Sequence, residues 1–424
     1  MGIKSVTKGI VILTAAILFS SNLSAGPTRY AGGDISLLPT YEDAGAQYKD
    51  SEGKPIGDLI SFLASTGMNA MRVRLFVDPE GYIAANPGAD PNACQSLEYI
   101  IPLCRRIVDN GMSLMLDFHY SDTWADPGAQ WTPGSWSSLT DEELTARIGQ
   151  YTRDVLLRLQ DEGIVPEFIQ PGNEISYGML WGTPADSDPY KVLPGSDKNW
   201  PRFASLLKAA IEECREVCPD ARIVIHSERT AYRDILGEFY SKMNSYGVDY
   251  DIIGLSYYPY FHCPMNVLSQ SLSYLGATFP DKEVMIVETG FPYKWEVPGT
   301  TQPVDYDYSL AGQNRFASDL VDMLKSHQNV TGLFWWWLEY NAYGTSLEGW
   351  YNAPLFDSTT GRATPALKTI ASFASPEEGI RVMVSEENNN AKRFYTPAGL
   401  PVENPESLPR GGVYITSDGS KLLK

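Results

Sequence analysis

The sequence predicts an α/β fold: a (β/α)8 TIM barrel with a small C-terminal β-rich appendage. Three observations predict it. Eight short apolar runs alternate with helical stretches between about residues 30 and 370, the signature of a closed parallel barrel. Polar and aromatic residues recur at the carboxyl end of one run after another. The chain has 424 residues, 43% of them apolar, which is enough to build one large barrel core. No internal repeat or low-complexity tract competes with this reading.

Residues 1–25 read as an export signal rather than as structure. Lys4 and Lys8 give a positive start, Gly9 to Phe19 an apolar segment of 11 residues, and Leu23-Ser24-Ala25 a cleavage site that leaves Gly26 at the new terminus. The apolar segment is too short to span a bilayer. No cysteine lies near the cut for a lipid anchor. The expected location is periplasmic or extracellular, without membrane insertion after signal cleavage.

Residues 26–375 form the expected barrel. The first strand runs from Tyr30 to polar Asp34 and Ser36. A helix around residues 56–65 leads to an alternating second strand, 68–76, whose Arg72 and Arg74 point the same way. Two arginines on one side of an apolar strand mark a solvated edge or the lining of an anionic pocket. The helix at 95–110 stops at Gly111, as a C-terminal glycine should. The third strand, 113–120, carries His119 at its end and opens a long loop containing Trp124, Trp131 and Trp136. The helix at 141–163 begins with acidic residues that its dipole favours. The apolar, β-branched run 164–169 reads as the fourth strand and ends in Gln170-Pro171-Gly172-Asn173-Glu174. The loop from 176 to 200, rich in Gly, Pro and aromatics, is too long for a mere connector. Helices at 201–217, 233–246, 264–279 and 310–327 then alternate with strands at 221–226, 250–258, 283–288 and 330–337.

From residue 376 the character changes. Glu377, Glu378, Glu386, Glu387 and the asparagines 388–390 read as a linker, and 392–395, 399–402 and 412–415 alternate like short strands. Residues 376–424 are therefore expected to form a linker and a small β module.

Composition excludes some partners. A formal charge of −19, from 33 basic and 52 acidic side chains, argues against nucleic acid and anionic membrane surfaces, which reward Lys and Arg. The 10 Trp and 25 Tyr must mostly build core, but several sit in loops, where flat rings stack on sugar faces. Five cysteines are an odd count for an oxidising compartment. With four histidines and no CxxC pair, a zinc site is not expected, and buried free thiols are. The chain is expected to be a monomer.

In a barrel, chemistry gathers at the carboxyl ends of the strands. That filter selects Arg72, Arg74, His119, Asn173, Glu174, Tyr257, Tyr258, Glu288 and Trp335 to Trp337. Burying an unpaired carboxylate is costly, so a glutamate beside an amide at a strand end is a poor core device and a good catalytic one. Glu174 or Glu288 alone reads as an ordinary strand-end acid. Together, each closing its own apolar strand, they read as a glycosidase pair. Glu288 is then the nucleophile, with Arg72 or Arg74 expected to depress its pKa, and Glu174 the acid that later turns base. Asn173 is placed to bond a sugar 2-hydroxyl, and a hydroxyl from Tyr257 or Tyr258 to orient the nucleophile. A carboxyl separation of about 5–5.5 Å implies retention of configuration, and about 6.5–9.5 Å inversion.

The chain resembles glycoside hydrolase family 53, the arabinogalactan endo-β-1,4-galactanases of the clan of retaining barrel glycosidases. The resemblance rests on Gly33-Asp34-Ile35-Ser36, on the run from Arg72 to Pro79, and above all on the run from Asp117 to Pro127. It continues through Gln170 to Glu174, Ser256-Tyr257-Tyr258-Pro259, Val287-Glu288-Thr289-Gly290 and Trp350 to Asp357. It implies Glu174 as acid/base and Glu288 as nucleophile. It also implies sugar subsites lined by Asp34, His119, Asp122, Trp124 and Trp350, with Asn352 in the last matching run, and β-1,4-galactan, a pectin side chain, as substrate. No cofactor is implied. Some members hold a structural calcium ion after strand seven through acidic residues and a histidine. Here that loop has only Glu296, Asp305 and Asp307 and no histidine, so it does not support the ion or any other metal. Strand eight carries three tryptophans where one is usual, and Trp336 is expected at the cleft floor. A sibling β-1,4-mannanase would share the glutamates but not the strand-three motif. A non-catalytic galactan-binding protein would need neither glutamate.

Overall fold

A computed structural model of the chain describes residues 28–186, 189–347 and 349–375 in full, and beyond them only the backbone of four short strands. The export signal and the linker expected from sequence lie outside the described residues. The chain divides into two units at residues 374 and 375.

The first unit is built on β1 (Tyr30–Asp34), β2 (Ala70–Leu75), β3 (Ser113–Phe118), β4 (Phe168–Pro171), β5 (Arg222–Ser227), β6 (Ile252–Tyr257), β7 (Glu283–Thr289) and β8 (Val330–Trp335). They pair in parallel in sequence order and close with β1 against β8. Around them run α1 (Leu38–Asp43), α2 (Leu59–Ser65), α3 (Pro79–Ala85), α4 (Leu97–Asp109), α5 (Asp141–Asp161), α6 (Trp200–Val217), α7 (Arg233–Ser245), α8 (Met265–Thr278), α9 (Leu310–Lys325) and α10 (Pro365–Ala371). The short α1, α3 and α10 have no counterpart in the sequence reading, although α2, no longer than α3 and α10, does. The long α5 starts at a capping box, Thr140 with Glu143, which satisfies two orphan N–H groups.

β4 starts later than the apolar run 164–169 predicts. Ile164 closes the end of α5, donating its N–H to the Leu159 carbonyl at 2.9 Å, and Pro166 has no N–H for a ladder.

Two apolar layers flank the sheet. Inside the barrel, Ala70, Met115, Phe168, Val224, Ile252, Met285, Val287 and Phe334 pack together, with Tyr30 against them. Outside it, the alternate strand residues meet the helices in one continuous core. Each fully buried large apolar side chain in these layers contributes about 1.5–3 kcal/mol. All five cysteines are free; Cys94 is half-buried and the other four are buried. No helix among the described residues is long and apolar enough to cross a membrane.

The second unit contains a four-stranded antiparallel sheet: β9 (Phe394–Tyr395), β10 (Pro401–Val402), β11 (Val413–Thr416) and β12 (Lys421–Leu423), in the order β10-β9-β11-β12. The sequence reading anticipates the first three strands and misses β12.

Candidate active site

Strand alternation builds the site. Two residues beyond the inner apolar layer, the same strand faces present Arg72 (after Ala70), Asp117 (after Met115), Gln170 (after Phe168) and His226 (after Val224). All four are fully buried, so each must be paired. Arg72 does most of that pairing. Its guanidinium reaches Asp117 at 2.8 Å, Asn173 Oδ1 at 2.9 Å, Glu288 Oε1 at 3.0 Å and Asp34 at 3.5 Å. Arg74, one step higher, takes Asp34 at 2.6 Å. His119 Nε2 stands 3.1 Å from Asp117, while its Nδ1 accepts the Ala125 N–H.

Glu288 reaches the mouth through a β-bulge. Leu255 of β6 pairs with Ile286, but the next residue, Ser256, pairs with Glu288, so Val287 is skipped. The extra residue lets Val287 fill the inner core while Glu288 joins the polar layer above it. There Glu288 Oε2 accepts a hydrogen bond from the Tyr258 hydroxyl at 3.1 Å. Glu174 arrives differently. It follows β4 with a left-handed φ of 49° and begins a 3-10 turn, Ile175–Tyr177. Such a backbone costs a non-glycine residue about 1–3 kcal/mol. The Ser256 hydroxyl, 2.5 Å away, donates to Glu174 Oε1.

The two carboxyls are electrostatically unequal. Burial raises both above the usual carboxylate range. Glu288 goes only to about 7, because Arg72 and the Tyr258 hydroxyl hold it down against Asp117 and Asp34. The depression expected from a neighbouring arginine is thus present but outweighed, since Arg72 is shared among three carboxylates and the site is buried. Glu174 is raised as well: burial comes first, and the charges of Glu288 and Glu228 push the same way, opposed by the Ser256 hydrogen bond.

Both glutamates line one cleft of about 570 Å³. Trp124, Asn173, Tyr258, Trp336 and Trp350 line it too, as expected, and so does Trp337. Arg74 anchors this aromatic wall, with its guanidinium 4.8–5.3 Å from the ring centres of Trp124, Trp336 and Trp337. Asn173 spends its Oδ1 on Arg72 and one amide hydrogen on the Ala125 carbonyl, which leaves one hydrogen for a ligand. Asp34, Arg72, Arg74 and His119 lie beneath the cleft rather than in its wall, fully or almost fully buried.

Four expectations need correction. Tyr257 is turned outward: its hydroxyl donates to the Cys263 carbonyl and its ring stacks on Phe316 of α9. Trp335 is likewise outward, donating its indole N–H to the Ala353 carbonyl. Neighbouring residues on a strand face opposite ways, so only one tyrosine of the pair can serve the cleft. Asp122 is occupied with the N–H groups of Asp78 and Gly134, tying two loops together. Asn352 accepts from the N–H groups of Lys294 and Trp295 and braces that loop. Neither lines the cleft.

Sequence reasoning missed Asp117, Gln170 and Ser256, which lie inside the matching motifs without an expected role, and also His226 and Glu228. Gln170, Asp117 and His226 follow from the inner-face rule once an apolar layer residue is identified two positions earlier, and Ser256 sits on the same face four positions after Ile252, with Gly254 between them. Glu228 lines the cleft from the end of β5 and is held by Ser176 and Arg229. Glu296, Asp305 and Asp307 do not converge on a cation site, and no group of three acidic, histidine or cysteine ligands does so among the described residues.

The match to known proteins covers the same region. A family model described as glycosyl hydrolase family 53 matches residues 30–370. An arabinogalactan endo-beta-1,4-galactanase A of Aspergillus niger is 31% identical over 338 residues, covering 76% of this chain and 90% of the relative. An arabinogalactan endo-beta-1,4-galactanase of Thermothelomyces thermophilus is 31% identical over 331 residues, covering 75% and 92%. Among solved structures, the Ignisphaera aggregans GH53 catalytic domain superposes with a TM-score of 0.69 at 28% identity, covering 81% of this chain and 96% of that one.

Proposed function

The chain belongs to glycosyl hydrolase family 53, and on that premise we propose that it is an endo-acting, retaining glycosidase that cleaves β-1,4-galactosidic bonds in the (arabino)galactan side chains of pectin. One observation carries this reading: two carboxyls from the ends of β4 and β7, Glu174 and Glu288, line a single aromatic cleft, and among the described residues only Glu288 of the two has a cation against it, Arg72 at 3.0 Å. The names of the relatives supply the substrate class.

In the first step the Glu288 carboxylate attacks the anomeric carbon. The glycosidic C–O bond breaks, and its electron pair takes the Glu174 proton. In the second, the Glu174 carboxylate removes a proton from water, whose oxygen attacks the same carbon and releases Glu288. Glu174, kept high by burial and like charge, suits the proton donor; Glu288, held lower by Arg72 and Tyr258, suits the nucleophile. The tryptophan wall stacks on sugar faces and excludes water. The reading includes export from the cytoplasm, from the sequence of residues 1–25, a monomeric enzyme and no required metal.

The test is hydrolysis of β-1,4-galactan, mannan and cellulose side by side, with the anomer of the first-formed product followed by NMR. Galactan alone cut efficiently to a β-anomer is the expected result. Preferential cutting of mannan would overturn the substrate, and a first-formed α-anomer would overturn the mechanism.

A further inference from the structure

Behind Glu174 lies a line of polar side chains that neither chemical step uses. Ser256 Oγ, fully buried, stands 2.5 Å from Glu174 Oε1 and 2.8 Å from His226 Nε2. On the other side of the imidazole, Nδ1 meets the backbone N–H of Glu174 itself at 3.2 Å, the side-chain amide nitrogen of Gln170 at 3.2 Å and Asn173 Oδ1 at 2.9 Å.

A neutral imidazole has one donor and one acceptor nitrogen, and the neighbours decide which is which. Asn173 Oδ1 already accepts from Arg72, and its amide orientation is fixed by the bond from Nδ2 to the Ala125 carbonyl. Its second lone pair faces Nδ1 at 2.9 Å, a contact that only an Nδ1–H tautomer would turn into a hydrogen bond. Against that tautomer stand two donors aimed at the same nitrogen, the Glu174 N–H and the Gln170 amide. The Glu174 N–H, a backbone donor at a strained turn, needs an acceptor. Nδ1 is therefore the acceptor and Nε2 carries the hydrogen. Ser256 has a single hydroxyl hydrogen. If Oγ accepts from Nε2–H, that hydrogen has only one way to point, which is at Glu174 Oε1.

We propose that His226 and Ser256 are positioning residues forming a one-way donor line, which reserves Glu174 Oε1 as an acceptor and so places the acidic proton on Oε2. The inference rests on Glu174 being the acid/base. Oε1 is held against the buried strand, which leaves Oε2 as the oxygen of this cleft-lining residue available to the leaving group. When the proton is gone, the same hydroxyl stabilises the carboxylate that must activate water. One arrangement of hydrogens thus serves both half-reactions without a tautomer change.

The surroundings agree. Burial and Arg72 oppose a second proton on the ring, against the pull of Asp117, and His119 and His262 also face it, so His226 stays neutral far below the ordinary histidine range. Glu288, Glu228 and Asp126 face Glu174, and all favour its protonated form. Ser256 supplies the opposing hydrogen bond.

The chain has four histidines, so their ring nitrogens can be resolved individually by 15N NMR without substrate. His226 is expected to show Nε2–H with an unprotonated Nδ1, unchanged while the 13C carboxyl signal of Glu174 titrates. An Nδ1–H tautomer, an imidazolium, or a switch that follows Glu174 would overturn the proposal on the wild-type chain alone. In Ser256→Ala the anion loses its donor, so the Glu174 titration should move up by about one to two pH units, and the basic limb of kcat/KM with it. A merely structural serine would lower thermal stability and leave both midpoints in place, which would also overturn it. Because both NMR measurements need no substrate, a failure of galactan cleavage would be distinguishable from a failure of this line.

Discussion

The Arg72 guanidinium lies 3.0 Å from Glu288 Oε1 and 2.8 Å from Asp117, so one buried cation serves the candidate nucleophile and a carboxylate that never meets solvent. Removing the charge outright would strand several buried carboxylates and cost about 3–5 kcal/mol of stability. Arg72→Lys is the informative change. It keeps one charge but loses the planar fork that spans Glu288, Asp117 and Asn173. The acidic limb of kcat/KM reports protonation of Glu288, and a weaker cation raises that pKa. We therefore expect the acidic limb to move to higher pH and kcat/KM to fall by about 100-fold, on the order of 3 kcal/mol. A limb that stays in place or moves down would remove Arg72 from this role.

Tyr257 and Tyr258 make a matched pair of tests. Tyr258→Phe deletes the hydroxyl that donates to Glu288 Oε2. Activity should fall by about 10- to 100-fold with little change in Tm, because that hydroxyl faces the cleft. Tyr257→Phe deletes a buried bond to the Cys263 carbonyl. It should leave kcat/KM unchanged and cost about 1 kcal/mol of stability. Equal effects of the two substitutions on activity would contradict the opposite facing of these two side chains.

Much of this site was legible in the sequence, and the physical reason is simple. A closed parallel barrel puts every strand's carboxyl end at one mouth, so finding eight apolar runs already locates Glu174 and Glu288. Three things were not legible. Alternation cannot say which of Tyr257 and Tyr258 faces inward when the β6–β7 register shifts at a bulge. A buried polar residue such as His226 looks, in one dimension, like a solvated strand end. Asp122 and Asn352 sit in loops, where sequence identifies polar residues but not whether a backbone N–H or a ligand takes their oxygens.

Glu174→Gln and Glu288→Gln should each abolish galactan cutting while leaving oligosaccharide binding intact. Both glutamines keep the shape. Gln at 174 keeps an oxygen for the bond from Ser256, whereas Gln at 288 can accept from Tyr258 or from Arg72 but not from both, so its Tm is measured beside its binding. The two variants should still separate. With a good aryl leaving group, which needs little protonation, Glu174→Gln should retain glycosylation and show a burst, and Glu288→Gln should not. Appreciable galactan cutting by either variant, measured by reducing ends and calorimetric binding, would undo the assignment of roles.

Glu339 offers a stability test away from the chemistry. It is fully buried just past the tryptophans of β8, with Oε1 accepting the Leu37 N–H at 2.9 Å. Burial, with the charge of Asp34 adding to it and Arg74 opposing, pushes its carboxyl up to about 8. An unfolded glutamate titrates near 4.3. Between those values the folded chain binds more protons than the unfolded one, so stability falls as pH rises, by about 1.4 kcal/mol per pH unit. The contribution is complete below the unfolded value and lost once pH passes the folded one. Glu339→Gln keeps an oxygen for Leu37 and has no proton to lose. It should therefore match the wild type near pH 4.5, gain on it steadily through pH 6.5, and hold a constant lead above about pH 8.5. Chemical denaturation at those three pH values measures the difference directly. A lead that does not depend on pH would show that Glu339 is not held neutral in the folded protein.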